Sequence, residues 1–226
     1  PEDRAAIPGL EIEVLFEPCH EVGGDYWDVI PVSDDRWWIV VADVSGKGVP
    51  AGLVASNIQA CLWTRRSGPE ALTSIVADIN EILCRLTRGR KYATLVAAEW
   101  NSTKDTLTWV SAGHPPLMLR RNGSIRDYGA TGRPIGLLSD QSYESERAEL
   151  AEGDTVLLFT DGLLEAGGLS GSDEFGLDRI RTCLSVDGSP RTVIERLTAA
   201  LAAHIDGDEP EDDVTLVCIR RKVTNR

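Results

Sequence analysis

The chain has 226 residues, 42% hydrophobic and 26% charged, with 23 basic against 36 acidic side chains and a formal net charge of −13. That composition excludes a disordered chain, collagen and a coiled coil, and the length lets one large domain bury a core without metal or disulfide staples. A surface this acidic repels nucleic-acid phosphate and anionic lipid, so neither is expected as a partner.

In chain order, the opening PEDRAAIPGL lacks the charged and apolar regions of a signal peptide, and no apolar run approaches a membrane span. The start at Pro1 reads as a single domain, residues 1–226, excised from a longer regulatory protein. β-Branched and aromatic runs predict strands over Leu10–Phe16, Tyr26–Pro31 and Trp37–Ala42. Two helices follow. Val54, Ile58, Cys61 and Leu62 repeat at helical spacing. Ser67 to Glu70 then spells a capping box ahead of the stripe Leu72, Ile75, Val76, Ile79, Leu83 and Leu86. Further strands are expected over Ala93–Trp100, Thr106–Ser111, Leu117–Arg120, Thr155–Thr160 and Val214–Ile219. Gly167–Gly176 and Asp206–Asp213 read as loops, and between them Ser189–Pro190 opens a helix carrying Val193, Leu197 and Leu201. Strands in blocks at both ends, with helices inside, favour an α+β fold with antiparallel sheets.

The five cysteines are scattered without a CxxC pair, which points to a reducing, cytoplasmic compartment rather than a disulfide framework or a thiolate zinc site. The six tryptophans sit mostly in strand or helix patterns and are expected to pack the core.

The chemistry lies in where the aspartates fall. Asp43 ends the run WWIVVA and Asp161 ends TVLLFT, whereas Asp25 precedes YWDVI and Asp212 with Asp213 precedes VTLVCI. Antiparallel pairing sets the C-terminal end of one strand beside the N-terminal end of the next, so these acids can gather at one rim. Crowded carboxylates raise each other's pKa, and a hard divalent cation such as Mg²⁺ or Mn²⁺ relieves them. Gly23, Gly24, Gly46, Gly48 and Gly162 beside them permit tight turns. Any one of these acids alone reads as a turn residue; four together point to a metal site.

The segments EVGGDYWDV (Glu21–Val29), ADVSGKGVPA (Ala42–Ala51), SAGHPPLMLR (Ser111–Arg120), GRPIGLL (Gly132–Leu138), GDTVLLFTDGLLEA (Gly153–Ala166), EFG (Glu174–Gly176) and DDVTLV (Asp212–Val217) stand in one order along the chain. Together they resemble the SpoIIE/RsbU-type branch of the PPM metal-dependent protein serine/threonine phosphatases. The resemblance implies an antiparallel β-sandwich flanked by helical layers (α-β-β-α). It implies two Mn²⁺ or Mg²⁺ ions, with Asp43 bridging, Asp25 and the Val44 carbonyl completing one site, and Asp161 with Asp212 the other. Two such cations lower the pKa of a shared water, and the resulting hydroxide attacks phosphorus in line with no side-chain nucleophile. Consistently, the sequence has no GxSxG elbow and no CxxxxxR loop.

The resemblance further implies a phosphorylated STAS-domain anti-sigma-factor antagonist as substrate, in partner-switching signalling. A regulatory sensor domain or protein is the expected controller, the helices of about Ala51–Leu86 couple its input to metal-site assembly, and a homodimer is compatible. Asp28 and Glu165 are weaker candidates behind the metal ligands, and Asp213 is the fallback for Asp212. His114 reads as a turn-fixing residue before a general acid, and Lys47 as an exposed loop lysine before a phosphate-attracting one. Gly23-Gly24-Asp25 lacks the acidic continuation of a diguanylate cyclase signature, and Gly46-Lys47-Gly48 is no Walker loop. The rival functions are a non-catalytic pseudophosphatase binding module and a two-metal small-molecule phosphoesterase. The presence of all four aspartates argues against the first.

Overall fold

The structure is a computed structural model and describes residues 7–19, 21–68, 70–167, 173–206 and 210–223. The chain divides into two compact units, the first holding described residues 7–8, 21–114 and 129–150, the second 9–19, 115–128 and 151–223. Each is built on one five-stranded antiparallel sheet bearing helices.

The first unit contains β2 (Asp25–Ser33), β3 (Arg36–Val44), β4 (Ala93–Asn101), β5 (Thr106–Ala112) and β8 (Glu146–Glu149), hydrogen-bonded in that order. Helices α1 (Val49–Arg65) and α2 (Leu72–Thr87) cover one face. Tyr26, Ile30, Trp38, Val40, Ala42, Val44, Leu95, Ala97, Val110 and Ala112 form the sheet side of that core. Val54, Ile58 and Leu62 of α1 and Ile75, Val76, Ile79 and Leu83 of α2 supply the helix side. Full burial of each large aliphatic side chain contributes roughly 1.5–3 kcal/mol, which fixes which strand residues face the helices.

The second unit orders its strands β1 (Leu10–Glu17), β10 (Val214–Arg221), β9 (Thr155–Phe159), β6 (Leu117–Arg121) and β7 (Ser124–Tyr128). Its helices are α3 (Asp161–Leu164), α4 (Gly176–Ser185) and α5 (Pro190–His204). Leu157, Phe159, Val214, Leu216 and Cys218 pack with Phe175, Ile180, Leu184, Val193, Leu197 and Leu201. The predicted start of α5 is present, with Ser189 Oγ accepting from the Thr192 N–H at 3.2 Å and Pro190 in the first turn.

Every predicted strand is found, with ends extended or trimmed by one to two residues. The capping box is not. Arg66 N donates to Leu62 O and Gly68 N to Arg65 O, so Ser67 lies in the turn that closes α1. α2 begins later, at Leu72, without a side-chain cap. Within the predicted loop Gly167–Gly176, residues 168–172 lie outside the described residues, as do 207–209 of the second loop. Trp37, Trp38, Trp100 and Trp109 are buried as expected, while Trp63 is partly exposed.

The GRPIGLL segment is strapped onto the first unit. Ile135 and Ala93 exchange two main-chain hydrogen bonds at 2.8 and 2.9 Å. The fully buried Asn80 of α2 accepts from Gly136 N at 2.8 Å and donates to Leu138 O at 2.9 Å. Asn80→Ala would strand both main-chain groups and leave a void, so it is expected to lower unfolding free energy by roughly 2–4 kcal/mol. A urea titration measures this as a lower midpoint.

Candidate metal centre

Asp25 opens β2 and Asp43 is the penultimate residue of β3, and the two are direct partners in the antiparallel register. Strand parity sets their face. Tyr26, Ala42 and Val44 belong to the helix-covered core, so Asp25 and Asp43 point to the opposite side of the sheet. Asp25 is 8% exposed and Asp43 half-buried. Gly24 brings the chain close enough that an added Cβ would lie 2.8 Å from the Val44 carbonyl oxygen and 3.5 Å from Asp43 Oδ1. Val44 N in turn donates to Gly24 O at 3.3 Å. Two carboxylates and a main-chain carbonyl thus cluster at this strand end.

The loop after Val44 is pinned by the two residues that precede β4. Ser45 N donates to Tyr92 O at 2.9 Å, Tyr92 N donates to Ser45 Oγ at 3.1 Å, and Lys91 Nζ donates to Ser45 O at 2.6 Å. Gly46 adopts φ +84° beneath the Lys91 ammonium, where a side chain would collide. Lys47 is exposed in this loop, as expected.

In the second unit, β9 hands over to α3 at Thr160. Thr160 N donates to Thr215 O at 3.1 Å and Thr215 N to Thr160 Oγ1 at 3.0 Å, so Asp161 emerges beside the start of β10. Gly162 abuts the Asp213 carbonyl group, with whose oxygen an added Cβ would collide. Asp212 is exposed, and its Oδ1 accepts from Asp213 N at 2.9 Å. Asp213 is turned inward, 5% exposed, with Oδ1 accepting from Cys19 N at 2.8 Å. Glu165 N donates to Asp161 O at 2.8 Å. Desolvation, then the charges of Asp161, Glu174 and Asp212, push the Glu165 carboxyl above the usual range.

The structure thus brings Asp25, Asp43 and Val44 together in one unit, and Asp161, Asp212, Asp213 and Glu165 in the other. Asp28 lies on the helix-covered face of its sheet, away from Asp25. It accepts from the Tyr26 hydroxyl at 3.0 Å, Trp63 Nε1 at 2.7 Å and Val29 N at 2.8 Å. His114 is 4% exposed, with Nδ1 2.8 Å from Thr94 Oγ1. Two neighbours escaped the sequence reading. Thr94 is the register partner of Asp43 on β4. Cys19 has Sγ within 4.8 Å of an oxygen of Asp212 and of Asp213. Only strand pairing reveals either one, because both are distant in sequence from the acids they meet.

Comparison with known proteins gives a consistent relationship. The sequence pattern that describes Stage II sporulation protein E (SpoIIE) matches residues 33–222. Phosphoserine phosphatase RsbU of Bacillus subtilis (strain 168) is 27% identical over 223 residues, covering 95% of this chain. The chain spans 64% of that relative's length, just under two thirds. The RsbU and RsbW domains of Rv1364c from Mycobacterium tuberculosis superpose with a TM-score of 0.78 at 26% identity, covering 97% of this chain and 62% of that one. RsbX, solved in complex with magnesium, superposes with a TM-score of 0.71 at 19% identity, covering 93% and 94%, a likeness of fold.

The close approach of Gly162 to the Asp213 carbonyl is directly testable. Gly162→Ala is expected to destabilise the chain by roughly 1–3 kcal/mol, because the clash is with main chain. Gly129→Ala meets no atom within 4 Å and should leave stability level or slightly raised. Thermal unfolding of the two variants side by side measures the difference.

Proposed function

The chain belongs to the SpoIIE family, and from that premise we propose that it is a metal-dependent protein serine/threonine phosphatase. The observation that carries the reading is the direct opposition of Asp25 and Asp43. Like charges facing each other across a strand pair destabilise a sheet, and Asp25 is 8% exposed, so water screens little of the repulsion. The donors are oxygens alone, two carboxylates with the Val44 carbonyl beside them, which suits a hard divalent cation. The donor set therefore fits the ions that the family relationship implies.

The reading assigns two ions, Mn²⁺ or Mg²⁺, to Asp25, Asp43 and the Val44 carbonyl in the first unit and to Asp161 and Asp212 in the second. When bound, such cations offset the carboxylate charge, lower the pKa of water and stabilise charge on phosphoryl oxygens. The protein's own part is placement. β2 and β3 hold Asp25 and Asp43 in register, Gly24 keeps the Val44 carbonyl close, and Thr160 with Gly162 sets Asp161 beside the 212–213 turn. Within this reading residues 1–226 act as one phosphatase domain.

RsbU is named a phosphoserine phosphatase, and the Rv1364c structure contains RsbU and RsbW domains. By that analogy the substrate is a phosphorylated STAS-domain protein of a partner-switching pathway, under a regulatory sensor domain or protein. The five cysteines are free thiols, which suits the reducing conditions of a cytoplasmic enzyme. Among the described residues no helix is long and apolar enough to cross a membrane.

Hydrolysis of an aryl phosphate and of a phosphoserine STAS-domain protein tests the reading. Turnover is expected to require Mn²⁺ or Mg²⁺, to stop with chelator, and to fall by at least about 10³-fold in Asp43→Ala while the circular dichroism spectrum is retained. Turnover that survives the chelator contradicts it.

A further inference from the structure

The row of oxygen-bearing side chains at the end of the first sheet does not stop at the two carboxylates. Asp25 pairs with Asp43, and Asp43 pairs with Thr94, so β2, β3 and β4 present three such residues in line. Leu95 and Ala97 of β4 face the helices, which puts Thr94 on the same side of the sheet as both acids. Thr94 Oγ1 lies 2.8 Å from His114 Nδ1.

The imidazole is housed for rigidity. It is 4% exposed, and the preceding Gly113 takes φ +66° against the Pro134 ring, where no Cβ fits. Gly113 N donates to Gly132 O at 2.8 Å, holding the turn onto the GRPIGLL segment. A ring so enclosed is badly placed to deliver a proton to a leaving group in a solvent-accessible site. It is well placed to fix one hydroxyl.

We propose that His114 and Thr94 are positioning residues that orient the Asp43 carboxylate for metal binding, an inference that rests on the reading of Asp43 as a ligand. His114 Nδ1–H donates to Thr94 Oγ1, and the threonine hydroxyl proton is then available to one Asp43 oxygen. The polarity follows from the inventory of the hydroxyl, one donor and two lone pairs. Were Thr94 to donate toward His114, only oxygen lone pairs would face the anionic side chain opposite. Directly opposed side chains have Cβ atoms about 4.5–5.5 Å apart, a separation that one hydrogen bond between their oxygens spans. Tying one carboxylate oxygen leaves the other directed at a cation, the usual task of groups behind a metal ligand.

The test is calorimetric titration of Mn²⁺ into the full chain, with thermal midpoints recorded for every variant. Thr94→Val removes the hydroxyl at nearly constant shape, and Thr94→Ser restores it. His114→Ala removes the ring, and His114→Asn returns an amide near the Nδ1 position. Thr94→Val and His114→Ala are expected to weaken Mn²⁺ binding by roughly 10- to 100-fold, with Thr94→Ser and His114→Asn close to the unaltered chain. The histidine pair decides the question even if Thr94→Val unfolds. Unchanged affinity in folded Thr94→Val or His114→Ala, with binding lost in Asp43→Asn, overturns the positioning role. Unchanged affinity in Asp43→Asn overturns instead the reading on which it rests.

Discussion

Everything at the candidate centre depends on antiparallel pairing, which sets the end of one strand beside the beginning of its neighbour. β3 runs out at Asp43 and Val44 where β2 begins at Asp25. In the second unit β9 runs out just before Asp161, where β10 is about to begin after Asp212 and Asp213. The strand interiors there are mostly apolar, and main-chain hydrogen bonding consumes their backbone polar groups. Asp25, Asp43, Asp161, Asp212 and Asp213 all fall where the ladder begins or stops. The glycines are part of that constraint, since Gly24 and Gly162 each sit where a methyl group would strike the opposing main chain.

Parity does the rest. A sheet residue faces one side or the other, and a one-residue slip would exchange the two sides. In β2 and β3 the side facing the helices is fixed by Tyr26, Ile30, Trp38, Val40, Ala42 and Val44, so Asp25 and Asp43 have no choice. Asp28 shows the same rule from the other direction. Three residues beyond Asp25, it falls on the helix side, where neutral donors from Tyr26, Trp63 and its own strand hold it. Burial, then the Asp28 charge, pushes the Tyr26 hydroxyl far above its usual range, so it stays a proton donor at any physiological pH. This buried group ties α1 to β2 on the face opposite Asp25 and Asp43.

Much of this was legible in the sequence because the signals were local. Apolar runs marked every strand that carries a candidate ligand, and the aspartates stood at their ends. What was missed needed information from elsewhere in the chain. β8, with the sequence ERAE, is a four-residue edge strand without apolar alternation, and α4 shows only Ile180, Cys183 and Leu184 behind a glycine-rich stretch. The capping box at Ser67 was outcompeted by the terminal turn of α1. Thr94 and Cys19 gain meaning only through partners 51 and 194 residues away, Asp43 and Asp213. The hydrogen bond between His114 and Thr94 could not be foreseen from AGHPP alone.

The account stands or falls on where divalent ions sit. Crystals grown with Mn²⁺ and measured at the manganese absorption edge locate the metal independently of any activity. The account predicts anomalous peaks within bonding distance of Asp25, Asp43 and the Val44 carbonyl, and of Asp161 and Asp212. Manganese bound elsewhere, with those carboxylates bare, would contradict it.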